Sequence, residues 1–140
     1  MNRSFPRYPA YKDSGVEWLG EVPEHWEVGL LKRDFSVTLG KMLQTEPRSP
    51  SERLLPYLRA SNIQPAGIDV SSVNQMWFSE QEEAQLKLQP GDLLVSEGGD
   101  VGRSALWSGE IEECFYQNSI NRVRPRSGNN HYLFFLVIRN

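Results

Sequence analysis

Short segments of alternating apolar and polar residues constrain the fold of this chain more than any other feature. From Trp26 onward such segments follow one another, and glycine, proline or other turn-forming residues separate most of them. Alternation with a period of two places successive side chains on opposite faces of a strand. The sequence therefore predicts an α+β domain, a mixed α/β unit in which strands dominate and short helices connect them.

The strand pattern recurs along most of the chain. Pro90-Gly91 fits the centre of a type II turn, because glycine tolerates positive φ there, and it precedes a buried apolar segment. Pro65-Ala66-Gly67 marks another turn. We predict strands over residues 26–31, 36–40, 54–62, 68–73, 92–96, 104–107 and 119–124.

Helices are predicted at three places. Ser79 followed by Glu82 fits a capping box, in which each side chain satisfies the other residue's backbone N–H, so a short helix begins there and extends to about Lys87. Residues 31–35 fit a single helical turn, and His131–Ile138 fits a closing helix.

The length of 140 residues is suited to one domain of ordinary size. Residues 1–25 contain Pro6, Pro9, Gly15, Gly20 and Pro23, which favour an extended lead-in over a packed element. We predict an extended N-terminal strap over 1–25 and one folded domain over 26–140.

Several classes of protein are excluded by what the sequence lacks. Its longest apolar stretch, Tyr132–Ile138, is far too short for a membrane span, and the N-terminus has no apolar signal segment. We therefore expect a cytoplasmic protein that does not contact membranes. A single cysteine, Cys114, and two distant histidines provide neither a disulfide nor ligand spacing for a metal.

The charge distribution leaves two interpretations open. The net charge is −3, which argues weakly against nucleic acid, but residues 114–140 hold four arginines and no acid. Such a segment can form one basic face on an acidic body, or simply a solvated surface. Residues 42–100, in contrast, hold nine acids against four bases.

The glycine-rich segment 97–104 allows three interpretations. A phosphate-binding P-loop is disfavoured, because Gly98 and Gly102 are separated by three residues and Arg103 stands where that motif has lysine. A tight hairpin that uses glycine for positive φ is the plain structural interpretation. A hairpin tip that faces DNA is the third, since glycine lets backbone approach phosphate and Arg103 can bind phosphate with two hydrogen bonds.

A strand over 119–124 would place Arg122 and Arg124 on one face. That face could contact phosphates, or it could be an ordinary solvated sheet face. Amides can read adenine edges through two hydrogen bonds. The polar residues that could contact bases, or that could equally be ordinary surface residues, are Gln117, Asn118, Asn121, Arg59, Ser61, Asn62 and Gln64.

No enzyme motif stands out. We find no local Ser–His–acid or Cys–His arrangement and no carboxylate cluster of a metal-dependent nuclease. The adjacent acids at 82–83 and 112–113 point in different directions. We expect a non-catalytic protein.

Four segments, taken together and in order, resemble the specificity subunits of type I restriction-modification systems. Each is weak alone, but together they cover most of residues 11–138. The segments are YKDSGVEWLGEVPEHWEV (11–28), PYLRASNIQPAGIDVSSV (56–73), GDLLVSEGGDVGRSALW (91–107) and YQNSINRVRP (116–125). The resemblance identifies residues 26–140 as a partial, truncated target-recognition domain from the N-terminal half of such a subunit. The chain departs from the family at Glu97 and Asp100, where members often carry a basic or hydroxyl residue.

The resemblance implies sequence-specific recognition of one half of a bipartite site in double-stranded DNA, in defence against foreign DNA. Its implied protein partners are modification subunits, which methylate adenine with S-adenosylmethionine, and restriction subunits, which use ATP and magnesium, as well as a second half-specificity subunit. We expect no cofactor on this chain itself. A different hypothesis remains open, in which the chain is a protein-interaction module that pairs with a modification subunit or half-subunit without reading DNA.

We expect DNA contacts from residues on the glycine hairpin, the arginine strand and the neighbouring turns. This expectation depends on the hairpin and the arginine strand lying side by side on one exposed, positively charged surface. The predicted contact residues are Lys41, Arg59, Asn62, Arg103, Asn118, Arg122 and Arg124.

Overall fold

The structure is a computed structural model and describes residues 7–26, 28 and 31–126. The strands, in chain order, are β1 (Tyr11–Asp13), β2 (Glu21–Pro23), β3 (Phe35–Leu39), β4 (Arg53–Leu58), β5 (Ile63–Gln64), β6 (Gly67–Ile68), β7 (Asn74–Phe78), β8 (Leu93–Ser96), β9 (Ser104–Leu106), β10 (Phe115–Tyr116) and β11 (Ile120–Pro125). The helices are α1 (Leu31–Asp34), α2 (Glu80–Leu86) and a short 3-10 helix, Ala60–Asn62.

The chain divides into two compact units, with the division between Arg33 and Asp34. In the first unit, β1 and β2 pair antiparallel, and Val22 is buried. The predicted strap is therefore a β-hairpin in this part, because the loop from Ser14 to Gly20 closes on itself through a backbone hydrogen bond of 2.9 Å. The boundary between strap and domain that the sequence predicts after residue 25 stays a prediction.

Two sheets dominate the second unit and confirm the predicted α+β class. One has four antiparallel strands in the order β3-β11-β8-β9. The other has the order β10-β4-β7, with β4 and β7 antiparallel and β10 parallel to β4. A small antiparallel pair, β5-β6, accompanies them. Among the described residues, no helix has the length and hydropathy needed to cross a membrane.

The core of the second unit forms from the apolar positions of these alternating strands. Leu55 and Tyr57 of β4 and Met76 and Phe78 of β7 are buried, as the two-residue period requires. Phe78 also packs against Phe115 of β10, with ring centroids 4.5 Å apart. Apolar burial of this kind is the main favourable contribution to folding.

The predicted helix after Ser79 is confirmed together with its cap. The hydroxyl of Ser79 accepts a hydrogen bond from the Glu82 backbone N–H at 3.2 Å, and the Glu82 carboxylate accepts one from the Ser79 N–H at 2.8 Å. Acidic residues in the first turn of α2 also interact favourably with the helix dipole. The helical turn predicted at 31–35 is confirmed as α1.

Two strand predictions are wrong in their bounds. The strand predicted over 54–62 ends at Leu58 and continues as the 3-10 helix, and the one predicted over 68–73 keeps only Ile68 in β6. The cause is Asn62, whose side-chain amide donates to the carbonyls of Asp69 and Ser72 at 2.9 and 3.0 Å and holds that segment as a loop. The strand predicted at 26–31 includes residues outside the described ones, and the helix predicted over His131–Ile138 lies entirely outside them.

Replacing Gly40 by alanine should destabilise the second unit. A Cβ there would lie 2.2 Å from the backbone oxygen of Gln117 and 2.5 Å from that of Tyr116, and backbone atoms cannot easily move aside. We expect Gly40→Ala to lower the free energy of unfolding by about 2 kcal/mol or more, measured by urea denaturation. Thr45→Ala, in an exposed loop, should change it by less than about 0.5 kcal/mol, and equal effects of the two changes would contradict the close approach.

Candidate functional site

The turn formed by residues 117–119 holds three other segments together through backbone hydrogen bonds. Its Gln117 N–H donates to the Leu58 carbonyl at 2.9 Å, at the end of β4. The Asn118 N–H donates to the Lys41 carbonyl at 2.9 Å, and the Ser119 carbonyl accepts from the Glu97 N–H at 2.8 Å. The ends of β3 and β4 and the start of the glycine hairpin are thereby fixed to one turn.

The same turn makes side-chain contacts with the hairpin and the 3-10 segment. The Ser119 hydroxyl accepts from the Ala60 N–H at 3.2 Å. A Cβ at Gly98 would lie 3.3 Å from the Ser119 Cβ and 3.9 Å from the Ala60 Cβ, so these backbones pack closely. We call the surface formed by residues 59–64, 97–103 and 117–121 the loop cluster.

The glycine-rich segment forms the predicted hairpin. Its Gly99 and Gly102 have φ values of 66° and 87°, which favour glycine. The Gly102 N–H donates to the Ser96 carbonyl at 2.9 Å, and the Ser96 hydroxyl donates to the Gly98 carbonyl at 2.6 Å. These bonds give the hairpin a defined shape.

Two acidic side chains of the hairpin hold polar groups of the loop cluster. The Arg103 guanidinium pairs with the Asp100 carboxylate and also donates to the Ile63 carbonyl at 3.3 Å. The side-chain amide of Asn121 donates to Oε1 of Glu97. The side chain of Arg103 is 29% exposed, so a ligand at this surface could reach it.

Three of the predicted contact residues come together in the loop cluster with accessible side chains. Besides Arg103, Asn118 is exposed at the turn, and Arg59 is half-buried before the 3-10 helix. Within the described part of the chain, Nε of Arg59 is buried and has no hydrogen-bond partner. The contact of these residues with DNA stays a prediction.

Asn62 belongs to the loop cluster by position, but its side chain is buried. Its Oδ1 accepts from the Arg59 N–H at 2.8 Å, while its Nδ2 makes the two bonds to Asp69 and Ser72 described above. The amide therefore shapes the loop, and its predicted exposure to a ligand is wrong. An amide with both its nitrogen and oxygen engaged has little capacity left for a base edge.

The predicted exposure of Lys41 is also wrong. Its Nζ lies 2.5 Å from Oε2 of Glu82 and donates to the Gln44 side chain and the Trp77 carbonyl at 2.7 and 2.8 Å. The Lys41 side chain is only 8% exposed. This cation links the end of β3 to the start of α2 instead of facing solvent.

The two arginines of β11 lie on the inner face of the four-stranded sheet. Arg122 pairs with Leu94 of β8, and Leu94 belongs to the core. Arg122 is 5% exposed, and it donates to the Gln85 carbonyl at 2.9 Å, while its burial lowers the pKa of its guanidinium. The expected outward-facing arginine stripe is therefore wrong.

Arg124 is held by the buried carboxylate of Asp92. Its Nε and Nη2 donate to the two oxygens of that carboxylate at 2.7 and 2.8 Å, and Nη2 also reaches the Lys87 carbonyl at 3.2 Å. The hydrogen bond from Arg124 to Asp92 raises the pKa of the guanidinium. Arg122 and Arg124 thus satisfy carbonyls at the C-terminal end of α2, where a helix has none of its own donors left.

These contacts change the expected character of the site. The side chains of Lys41 and Arg122 are buried, that of Arg124 is 27% exposed but held by Asp92, and the loop cluster balances two arginines against two acids. It is a polar surface instead of a positively charged one. Sequence reasoning missed the roles of Glu97 and Ser119, and it missed that Asp92, an acid directly before a buried strand, needs a cationic partner.

A groove of about 890 Å³ opens beside the loop cluster. It lies along β6 and β9, and Arg103 forms part of its wall. Among the residues that the structure describes, no group of three or more His, Cys, Asp and Glu side chains could hold a metal ion.

The ion pair between Lys41 and Glu82 should make stability depend on acid pH. Burial alone raises the pKa of Glu82, but hydrogen bonds from Lys41 and Ser79 outweigh it, so the pKa lies below the ordinary 4.5. A lowered pKa in the folded state gives stability that is present above the unfolded-state pKa and is lost as the pH falls through the folded-state pKa.

We therefore expect the free energy of unfolding to fall as the pH drops below about 4.5. Glu82→Gln should be less stable at pH 7 and should lose less on acidification, as measured by urea denaturation over a pH series. The exposed Glu80 of the same turn provides the control Glu80→Gln. Parallel pH curves for the wild type and Glu82→Gln would show that the pair has no such effect.

Comparison with known proteins gives one sequence relative and a set of structural neighbours. No family model matches the chain. It is 26% identical over 125 residues to a putative type I restriction enzyme MjaX specificity subunit of Methanocaldococcus jannaschii. The aligned region covers 85% of this chain and 29% of that protein.

The structural neighbours have the same fold. The HsdS subunit from Thermoanaerobacter tengcongensis superposes with a TM-score of 0.57 at 17% identity, over 91% of this chain and 30% of that chain. A chain from a study of complex assembly and conformational transition of the type I R-M system gives 0.56 at 16% identity, with the same two coverages. The chain thus spans about 30% of the length of the proteins it matches.

Proposed function

We propose that this chain, which is similar in sequence and fold to specificity subunits of type I restriction-modification systems, reads the sequence of double-stranded DNA through the loop cluster. The one observation that carries the proposal is the turn at 117–119, which gathers three loops into one polar surface on a rigid scaffold. Binding residues are found disproportionately on loops that a rigid scaffold positions.

The side chains of the loop cluster suit base edges better than a row of phosphates. Asn118 is exposed, and the half-buried Gln64 of the 59–64 segment is anchored by the bond from its amide to the Ser61 carbonyl. Amides and arginines read adenine and guanine through paired hydrogen bonds in the major groove. Only Arg59 and Arg103 supply positive charge for phosphate contacts within the loop cluster.

This proposal assigns catalysis to other subunits. In it, the chain directs modification subunits, which methylate adenine with S-adenosylmethionine, and restriction subunits, which use ATP and magnesium to cleave. The chain itself would contribute recognition and no catalytic group. A modification subunit, a restriction subunit and a second half-specificity subunit are accordingly its proposed protein partners.

The salt dependence of DNA binding tests the proposal. Each phosphate that a protein neutralises adds about −0.9 to the slope of log affinity against log salt concentration. Two arginines therefore predict a shallow slope of about −2. We expect fluorescence anisotropy with random-sequence 25-base-pair duplexes to give this slope for the full chain.

Arg103→Ala should weaken binding to these duplexes and reduce the slope by about one. The matched control is Arg48→Ala. Arg48 is exposed, and its backbone N–H donates to the carboxylate of Glu52, which directly precedes the first residue of β4, whereas the loop cluster follows the last residue of β4. Thermal denaturation checks that both variants fold. An equal decrease in affinity for both variants would contradict an interface at the loop cluster. Absence of DNA binding together with co-purification of a modification subunit would favour the protein-interaction module.

A further inference from the structure

Glu97 is an acidic residue of the loop cluster that hydrogen bonds hold through both its backbone and its side chain. Its backbone N–H donates to the Ser119 carbonyl at 2.8 Å, and its Oε1 accepts from the Asn121 amide. The residue is nevertheless exposed, and its second oxygen, Oε2, accepts no hydrogen bond within the described part of the chain. A fixed carboxylate with one free oxygen can accept a hydrogen bond from a ligand without reordering.

The charge of Glu97 is not neutralised by the loop cluster. Arg103 pairs with Asp100, and the partner of Glu97, Asn121, carries no charge. A carboxylate in this state repels a DNA phosphate, so at a DNA surface it must lie against a group that donates hydrogen bonds. On DNA, such groups are the exocyclic amines of the bases.

The geometry of the grooves narrows the choice among these amines. The major groove, about 12 Å wide, admits a two-stranded ribbon such as the glycine hairpin, whereas the minor groove is only about 6 Å wide. In the major groove, adenine presents its N6 amine beside the acceptor N7, which would repel a carboxylate. Cytosine presents its N4 amine without a neighbouring acceptor on the same base.

We propose that Glu97 is a specificity-determining residue that accepts a hydrogen bond from the N4 amine of a cytosine in the major groove. Asn121 is a positioning residue that holds Oε1 and leaves Oε2 directed to the base. The inference rests on the proposed function, because it requires the loop cluster to contact DNA bases.

Selection of bound sequences from a pool of randomised duplexes tests this role. The wild-type chain should enrich a motif that contains at least one C·G pair. Glu97→Ala should lose about ten-fold or more of its preference at one C·G position and keep the rest of the motif. Glu112→Ala removes one negative charge from an exposed residue outside the loop cluster, so it should keep the whole motif.

Two further variants separate reading from a loss of folding. Glu97→Gln preserves the size of the side chain and its bond from Asn121, but it places a donating Nε2 where Oε2 accepts, so it should lose the preference for cytosine, whose N4 amine also donates. Asn121→Ala should weaken the preference at the same position only. Circular dichroism confirms the fold of each variant.

The outcomes distinguish this inference from the function on which it rests. If the wild type enriches a motif and both Glu97 variants enrich the same one, Glu97 does not read a base, and the proposed function survives. If the wild type enriches no motif at all, the proposed function fails, and the role of Glu97 fails with it.

Discussion

The backbone of the turn at residues 117–119 is the constraint on which the rest of the site depends. Its N–H and carbonyl groups bond the ends of β3 and β4 and the start of the glycine hairpin, three segments that are far apart in sequence. Gly40 permits this arrangement, because any side chain there would overlap the backbone of Gln117. The loop cluster is therefore an extension of the two sheets. The hydrogen-bonded strands of those sheets fix the positions of its polar side chains.

Three cationic residues that the sequence predicts to contact DNA are instead bonded to other groups of the second unit. Lys41 and Arg124 each pair with an acid, Glu82 and Asp92, while Arg122 bonds a helix carbonyl. Removing one partner of such a pair leaves an uncompensated buried charge, which is strongly destabilising. The Lys41–Glu82 pair links α2 to the end of β3, and Arg122 and Arg124 bond carbonyls at the C-terminal end of α2. With those charges engaged, the proposed recognition at the loop cluster would depend more on hydrogen-bond geometry than on overall attraction to DNA.

Local signals in the sequence predicted local structure well. The capping box at Ser79 and Glu82 and the glycines of the hairpin encode their own backbone geometry, so no distant residue was needed. Arg122 and Arg124 show the limit of such reasoning. Alternation places them on one face, but only the pairing of β11 with β8 and the position of α2 decide that this face is the inner one. Asp92, the partner of Arg124, lies 32 residues away in sequence, so no local pattern reveals the pair.

The most direct test of a DNA-reading loop cluster is a titration of the isotope-labelled full chain with duplex DNA, followed by the chemical shifts of its backbone amides. We expect the largest shift changes within residues 59–64, 97–103 and 117–121, while the amides of α2 and of the loop at 45–52 stay unchanged. Changes concentrated at α2 or at 45–52, with the loop cluster unaffected, would contradict this expectation.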